Sequence, residues 1–254
     1  MKLQGIHAEI PTPFDYKGEI YRAKLEHNLA KWNHAALAGY VVCTGAGEGD
    51  LLGFEEKIAV WELVAEHAAP GRVLIAGVGV PGVHESLQLI ERAADLGYAA
   101  ALLDSLPAAP ETQKLYLCSI ADRARIPVLA TPTAPLPHPR LVDLRPQVAR
   151  SAGGLWQALS AGASAAFLQF ASAAPYAAIS IWEAHRTREE EAGEELQGRI
   201  AHAAECVSSR YGVPGLKYAM DLNGYYGGPP RLPNASLPLQ ARQEIEEAFR
   251  DIKG

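Results

Sequence analysis

Glu9 and Asp104 are the side chains whose type and place could do chemistry. Glu9 stands in an otherwise largely apolar run, Ile6 to Phe14. A carboxylate there is costly unless paired or hydrogen-bonded, and burial lifts its pKa toward values useful for proton transfer. Asp104 ends another apolar run, where the sites of α/β barrels and open α/β sheets form. The pair could supply a general acid and a general base. The plainer readings are an exposed strand position or a structural hydrogen bond for Glu9, and a helix cap or turn for Asp104. Gln169 closes the last apolar run in the same way. His7 lies two residues before Glu9, so in a strand the two share a face. No third ligand follows at a telling spacing, so a structural hydrogen bond is favoured and no metal site is expected.

Two glycine-rich loops could act through their backbone. Thr44, Gly45, Ala46 and Gly47 follow an apolar run, and N–H groups in such a loop can hold a carboxylate or phosphate. Glu48 and Asp50 would oppose an anion unless they turn away or bond the loop itself. Gly77-Val78-Gly79-Val80-Pro81-Gly82 spells the dinucleotide fingerprint. It falls in the third βα unit, and Pro81 lacks an N–H for a phosphate. It therefore reads as a glycine-rich barrel loop, and no cofactor is expected. Schiff-base chemistry needs a lysine in an apolar pocket. Of lysines 2, 17, 24, 31, 57, 114, 217 and 253, none lies in a candidate strand, and Lys217 alone has an apolar sequence context.

These groups need a frame. Apolar runs at Gly5–Pro13, Tyr40–Thr44, Val73–Gly79, Ala99–Asp104, Pro127–Pro132 and Ala165–Phe170 are blocky, as strands buried on both faces are. Amphipathic helices separate them, with Leu25, Leu29 and Trp32 on one face, then Ile58, Trp61 and Ala65, then Leu87, Ile90 and Ala94. Gly39, Gly97 and Gly162 read as helix caps before strands. Pro139–Arg150 and Leu155–Ala161 read as helical. The visible strand count is six, short of the eight of a full barrel.

The chain has 254 residues, 48% of them hydrophobic and 20% charged, with net charge −6. It is too apolar to be disordered, and its charge argues against nucleic acid as a partner. No apolar run is long enough to span a membrane. The opening residues Met1 to His7 lack the apolar core of a signal peptide, so a cytoplasmic location is expected. Cys43, Cys118 and Cys206 lack metal-ligand spacing and read as free or buried thiols.

Ile10-Pro11-Thr12-Pro13-Phe14, Val41 to Glu48, Ile75 to Gly79, Leu159 to Ala163 and Gly215-Leu216-Lys217 resemble, in order, the dihydrodipicolinate synthase / N-acetylneuraminate lyase family. The resemblance runs from Gly5 to about Pro233. It implies a TIM-type (β/α) barrel with a C-terminal helical region, a homo-oligomer, and chemistry through a Schiff base between pyruvate and a strand lysine. The departures fall on the implied site. Gly45 and Ala46 stand where the family carries hydroxyls for the pyruvate carboxylate. Leu106-Pro107 stands where it brings a tyrosine pair. Val128 to Ala134 has neither its tyrosine nor its arginine. The sixth strand, with the Schiff-base lysine, is missing from the text, and Lys217 matches a lysine of the helical region.

The expected fold is thus an α/β TIM-type barrel over residues 1–188, lacking about one βα unit, with a helical region over 189–254 packed on it. The expected function is that of a family homologue without Schiff-base aldolase or synthase activity, acting as a binding, partner or regulatory protein. A small carboxylic acid is its expected ligand, held at Thr44 to Gly47. The alternative is a lyase or isomerase working non-covalently on a small oxo or hydroxy acid, with Glu9 and Asp104 as acid and base. A nicotinamide enzyme on the Gly77–Gly82 loop ranks third. An open edge left by the missing unit would be closed by a smaller barrel, by irregular segments near 150–160, or by a partner subunit.

Overall fold

Five of the apolar runs form strands in succession: β1 (Gly5–Ile10), β2 (Gly39–Val42), β3 (Val73–Gly77), β4 (Ala100–Leu103) and β5 (Val128–Ala130). The sixth run forms the last strand, β8 (Ala165–Leu168). The computed structural model describes residues 1–80, 82–135, 138–145 and 147–252. Helices α1 (Arg22–Trp32), α2 (Phe54–His67), α3 (Val83–Asp95) and α4 (Pro110–Ala121) connect the first five strands.

Two further strands lie where helical text was expected. Pro139–Arg150 holds β6 (Leu141–Asp143) and β7 (Val148–Ala149). Proline cannot donate in a helix interior, and prolines stand at 135, 137, 139 and 146. The backbone here bonds to β5 instead: Val128 N–H donates to Arg140 O at 2.9 Å and Leu144 N–H to Ala130 O at 2.9 Å. Eight parallel strands therefore run in the order β6-β5-β4-β3-β2-β1-β8-β7, not six. This is the order of a TIM-type barrel. Among the described residues no ladder joins β6 to β7, so the seam lies there. Among the described residues no helix stands between β5 and β6 or between β6 and β7, while both strands are present.

Alternation then sorts the core into two. Val41, Ile75, Leu102, Leu129, Leu144 and Phe167 fill the inside of the barrel. A larger cluster, with Trp32, Tyr40, Trp61 and Leu117, packs strands against helices. Gly39 is not a helix cap: it opens β2, where a Cβ would lie 1.9 Å from Val73 O. Gly97 and Gly162 do take the left-handed φ of a cap, at 82° and 104°.

α5 (Leu155–Ser160) joins β7 to β8, and α6 (Phe170–Ala173) and α7 (Pro175–Thr187) follow β8. Beyond them come α8 (Glu190–Glu205), a π-helical turn (Cys206–Arg210), α9 (Gly212–Leu222) and α10 (Leu239–Ala248). Gln197 on α8 accepts from Trp156 N–H at 2.8 Å and donates to Ala152 O at 2.9 Å, fastening this region to the barrel. No helix among the described residues is long and apolar enough to cross a membrane. The three cysteines are free.

Candidate functional site

The inner face of each strand delivers its last side chain to the C-terminal mouth of the barrel. β1 brings Glu9, and β7 brings Arg150, two residues beyond the inward Val148. The Glu9 carboxylate meets the Arg150 guanidinium at 3.0 Å, with the Glu9 side chain 10% and the Arg150 side chain 38% exposed. The other Glu9 oxygen accepts from the Thr44 hydroxyl at 3.4 Å. Arg150 also lies over the Phe167 ring, 5.6 Å from its centre.

Asp104 follows β4 at the same mouth. Together with Asp50 and Lys57 it surrounds Gly79: a Cβ there would lie 3.1 Å from Asp104 Oδ1, 3.4 Å from Asp50 Oδ1 and 3.9 Å from Lys57 Nζ. Burial raises the Glu9 pKa most; Arg150 opposes this and the Asp104 charge adds to it. Burial likewise raises Asp104, helped by Asp50 and opposed by Arg150 and Lys57. The two sequence-predicted carboxyls thus share one electrostatic environment.

His7 sits one layer deeper on the same face. Its ring packs edge-on to Phe167 at 5.2 Å, and burial lowers its pKa to about 4, so the imidazole is neutral. Gln169 follows β8 and lies just before α6.

The Thr44–Gly47 segment is a 3-10 turn that uses much of its own backbone. Gly47 and Gly49 N–H groups both donate to Thr44 O at 2.9 Å, and Glu48 N–H donates to Gly45 O at 3.1 Å. Those three donors are engaged within the loop, and the Thr44 hydroxyl turns to Glu9. Gly45 is exposed, whereas Ala46 and Gly47 are buried. Glu48 turns away from the mouth altogether. It pairs with Lys217 at 2.5 Å, both side chains being 1% exposed, and accepts from Arg231 N–H at 2.8 Å and Asn234 Nδ2 at 3.0 Å.

The Gly77–Gly82 loop serves packing. A Cβ on Gly77 would lie 2.6 Å from Cys43 O, and Val78 O accepts from Lys57 Nζ at 2.8 Å. Pro81 lies outside the described residues.

Two participants escaped the sequence reading. Arg150 did so because Pro139–Arg150 reads as helix; once β7 is recognised, its spacing from Val148 places it on the inner face. Lys57 did so because α2 reads as simply amphipathic. It shares the i, i+4, i+7 stripe with Trp61 and Val64, all buried, which is a legible signal. Lys217 is therefore not alone in being buried: Lys57 is 1% exposed too, and burial lowers its pKa against the raising effect of Cys43, Asp104 and Asp50.

Comparison with known proteins matches the same frame. The profile of the Dihydrodipicolinate synthetase family covers residues 2–104, ending at the Asp104 position. A 4-hydroxy-tetrahydrodipicolinate synthase of Xanthomonas axonopodis pv. citri is 32% identical over 137 residues, 51% of this chain and 44% of that one. An N-acetylneuraminate lyase of Salmonella paratyphi B is 34% identical over 99 residues, 39% of this chain and 33% of that one. The matched stretch thus spans less than half the length of these curated relatives. In three dimensions the likeness extends through the whole chain. A dihydrodipicolinate synthase of Bacillus anthracis superposes with TM-score 0.88 at 18% identity, covering 100% of both chains. An N-acetylneuraminate lyase of Mycoplasma synoviae gives 0.85 at 21% identity, covering 98% of both. Sequence likeness through the first four strands and fold likeness through all eight thus make this chain similar to the dihydrodipicolinate synthase / N-acetylneuraminate lyase family, with the family match itself confined to residues 2–104.

Proposed function

We propose that this chain is a family member without Schiff-base aldolase or synthase activity, and that it binds a small carboxylic acid at the barrel mouth as a binding or regulatory protein. The supporting observation is the Glu9–Arg150 pair in the mouth, together with the absence of any lysine between Lys114 and Lys217, the stretch that contains β5 to β8. Without an amine on those strands a ketone has no nucleophile there. Arg150 is half open to solvent, and its planar fork suits a carboxylate. Glu9, already inclined to take a proton, can give up the guanidinium to an incoming carboxylate by becoming neutral.

The test is borohydride reduction in the presence of pyruvate, read by intact mass. No mass gain is expected; a pyruvate-sized adduct on Lys57 or Lys217 overturns the reading. Thermal shifts with a panel of 2-oxo and 2-hydroxy acids supply the positive arm. A shift that Arg150→Ala abolishes is expected, and a panel without any shift sinks the ligand assignment.

A second reading rests on Glu9 and Asp104 lying in one mouth with both pKa values raised. It is a lyase or isomerase acting without a covalent intermediate, one carboxyl as acid and the other as base. It requires turnover that Glu9→Gln and Asp104→Asn each abolish.

A further inference from the structure

We infer that His202, Cys206 and Glu244 form a binding site for a thiophilic divalent cation of the zinc type, built wholly on the C-terminal helices. His202 and Cys206 are four residues apart at the end of α8, so they lie on one face. Cys206 opens the π-helical turn, a rare local widening that recurs at functional sites. Glu244 reaches them from α10. Among the described residues this is the only group of three such side chains with ligand atoms in mutual reach.

The spacing suits an ion. Cys206 Sγ lies 3.9 Å from His202 Nε2 and 4.0 Å from Glu244 Oε1, and His202 Nε2 lies 3.7 Å from Glu244 Oε1. The centre of that triangle is about 2.2 Å from each atom, against typical zinc bonds of about 2.3 Å to sulfur and about 2.0 Å to nitrogen or oxygen. Thiolate, imidazole and carboxylate together are donors that favour zinc-like ions over magnesium or calcium. Cys206 is buried and His202 is 54% exposed, so the ion enters from solvent past the imidazole and keeps an outer position for water.

The neighbours fit this role. Tyr211 donates its hydroxyl to Glu244 Oε2 at 2.6 Å, the kind of outer hydrogen bond that orients a ligating carboxylate. Arg210 meets Oε1, the ligand oxygen, at 2.6 Å and is 48% exposed. It neutralises Glu244 when no ion is bound and can swing into solvent when one is. Binding deprotonates the Cys206 thiol: the S–H bond breaks, the proton passes to solvent, and the sulfur lone pair forms the bond to the metal.

The reduced full chain is titrated with Co2+, then with Zn2+. One equivalent of Co2+ should produce a near-ultraviolet sulfur-to-cobalt charge-transfer band, which Zn2+ abolishes. His202→Ala, at an exposed position, should leave the far-ultraviolet circular dichroism unchanged and weaken Co2+ binding at least tenfold. Arg210→Ala should tighten it, because the competing cation is gone. The proposal is overturned if no band forms at one equivalent, if His202→Ala and Glu244→Gln leave the band and affinity unchanged, or if Arg210→Ala fails to tighten binding.

Discussion

Glu9 and Arg150 join strands that are not neighbours. β8 lies between β1 and β7, so the 3.0 Å contact bridges over it, with the Phe167 ring of β8 under the guanidinium. The pair sits beside the seam, where β7 among the described residues has a ladder to β8 only. It fixes the direction of a carboxylate that burial and the nearby Asp104 charge would otherwise drive toward its neutral form. It also holds the end of a strand of only two residues.

Arg150→Ala should therefore destabilise the fold, and the loss should depend on pH. A buried acceptor left without its partner costs roughly 1–3 kcal/mol. The Glu9 pKa is already raised in the folded state and would rise further without Arg150. Between the unfolded and folded pKa values the native chain holds a proton that the unfolded chain has lost. Stability from this group is thus present at low pH and is lost as pH rises through the folded value. Urea midpoints at pH 8 should separate variant from parent clearly, and at pH 5 the gap should narrow. A gap that stays constant, or widens in acid, contradicts the role given to Glu9.

Lys217→Met should cost roughly 3–5 kcal/mol, because it leaves the Glu48 charge buried and unpaired. Glu48 also holds the backbone of Arg231 and the side chain of Asn234, so the damage should spread to the segment after α9. Denaturant curves check the size of the loss. The double variant Lys217→Met, Glu48→Gln should recover part of it; a double variant as unstable as the sum of both singles would deny the coupling.

Gly39→Ala should disrupt the β2–β3 pairing rather than a helix end. The new Cβ would lie 1.9 Å from Val73 O, and overpacking of this kind costs roughly 3 kcal/mol or more when backbone cannot yield. Soluble expression and thermal midpoint are the readouts. A variant with the parent's melting temperature would place Gly39 outside the tight contact.

What the sequence could reveal follows from the length of each signal. β1 to β5 and β8 are buried on both faces and carry apolar runs long enough to stand out. β6 and β7 have three and two residues, set among prolines and arginines, and no periodicity survives at that length. Missing them hid Arg150 and left Glu9 without a visible partner. Asp104 was legible because it ends a clear run. Lys57 was obscured by its own helix, whose apolar stripe draws the eye to Ile58 and Trp61. The 3-10 turn at Gly45–Gly47 was readable as glycine-rich, but the inward use of its N–H groups depends on Thr44 O, which no motif announces.

His7 gives the molecule an acid-sensitive element apart from any ligand. Its imidazole is buried against Phe167, and burial lowers its pKa from 6.5 to about 4. Between those two values the unfolded chain binds a proton that the native chain refuses. Stability from this group is complete above the unfolded value and falls as pH drops toward the folded one. At about 1.4 kcal/mol per unit, the loss across that window is about 3 kcal/mol. His7→Leu removes the titrating group while keeping an apolar side chain on the inner face. Its denaturation midpoint should fall less steeply than the parent's between pH 6.5 and pH 4. Parallel profiles for the two proteins would mean that the His7 ring takes up its proton without leaving the barrel.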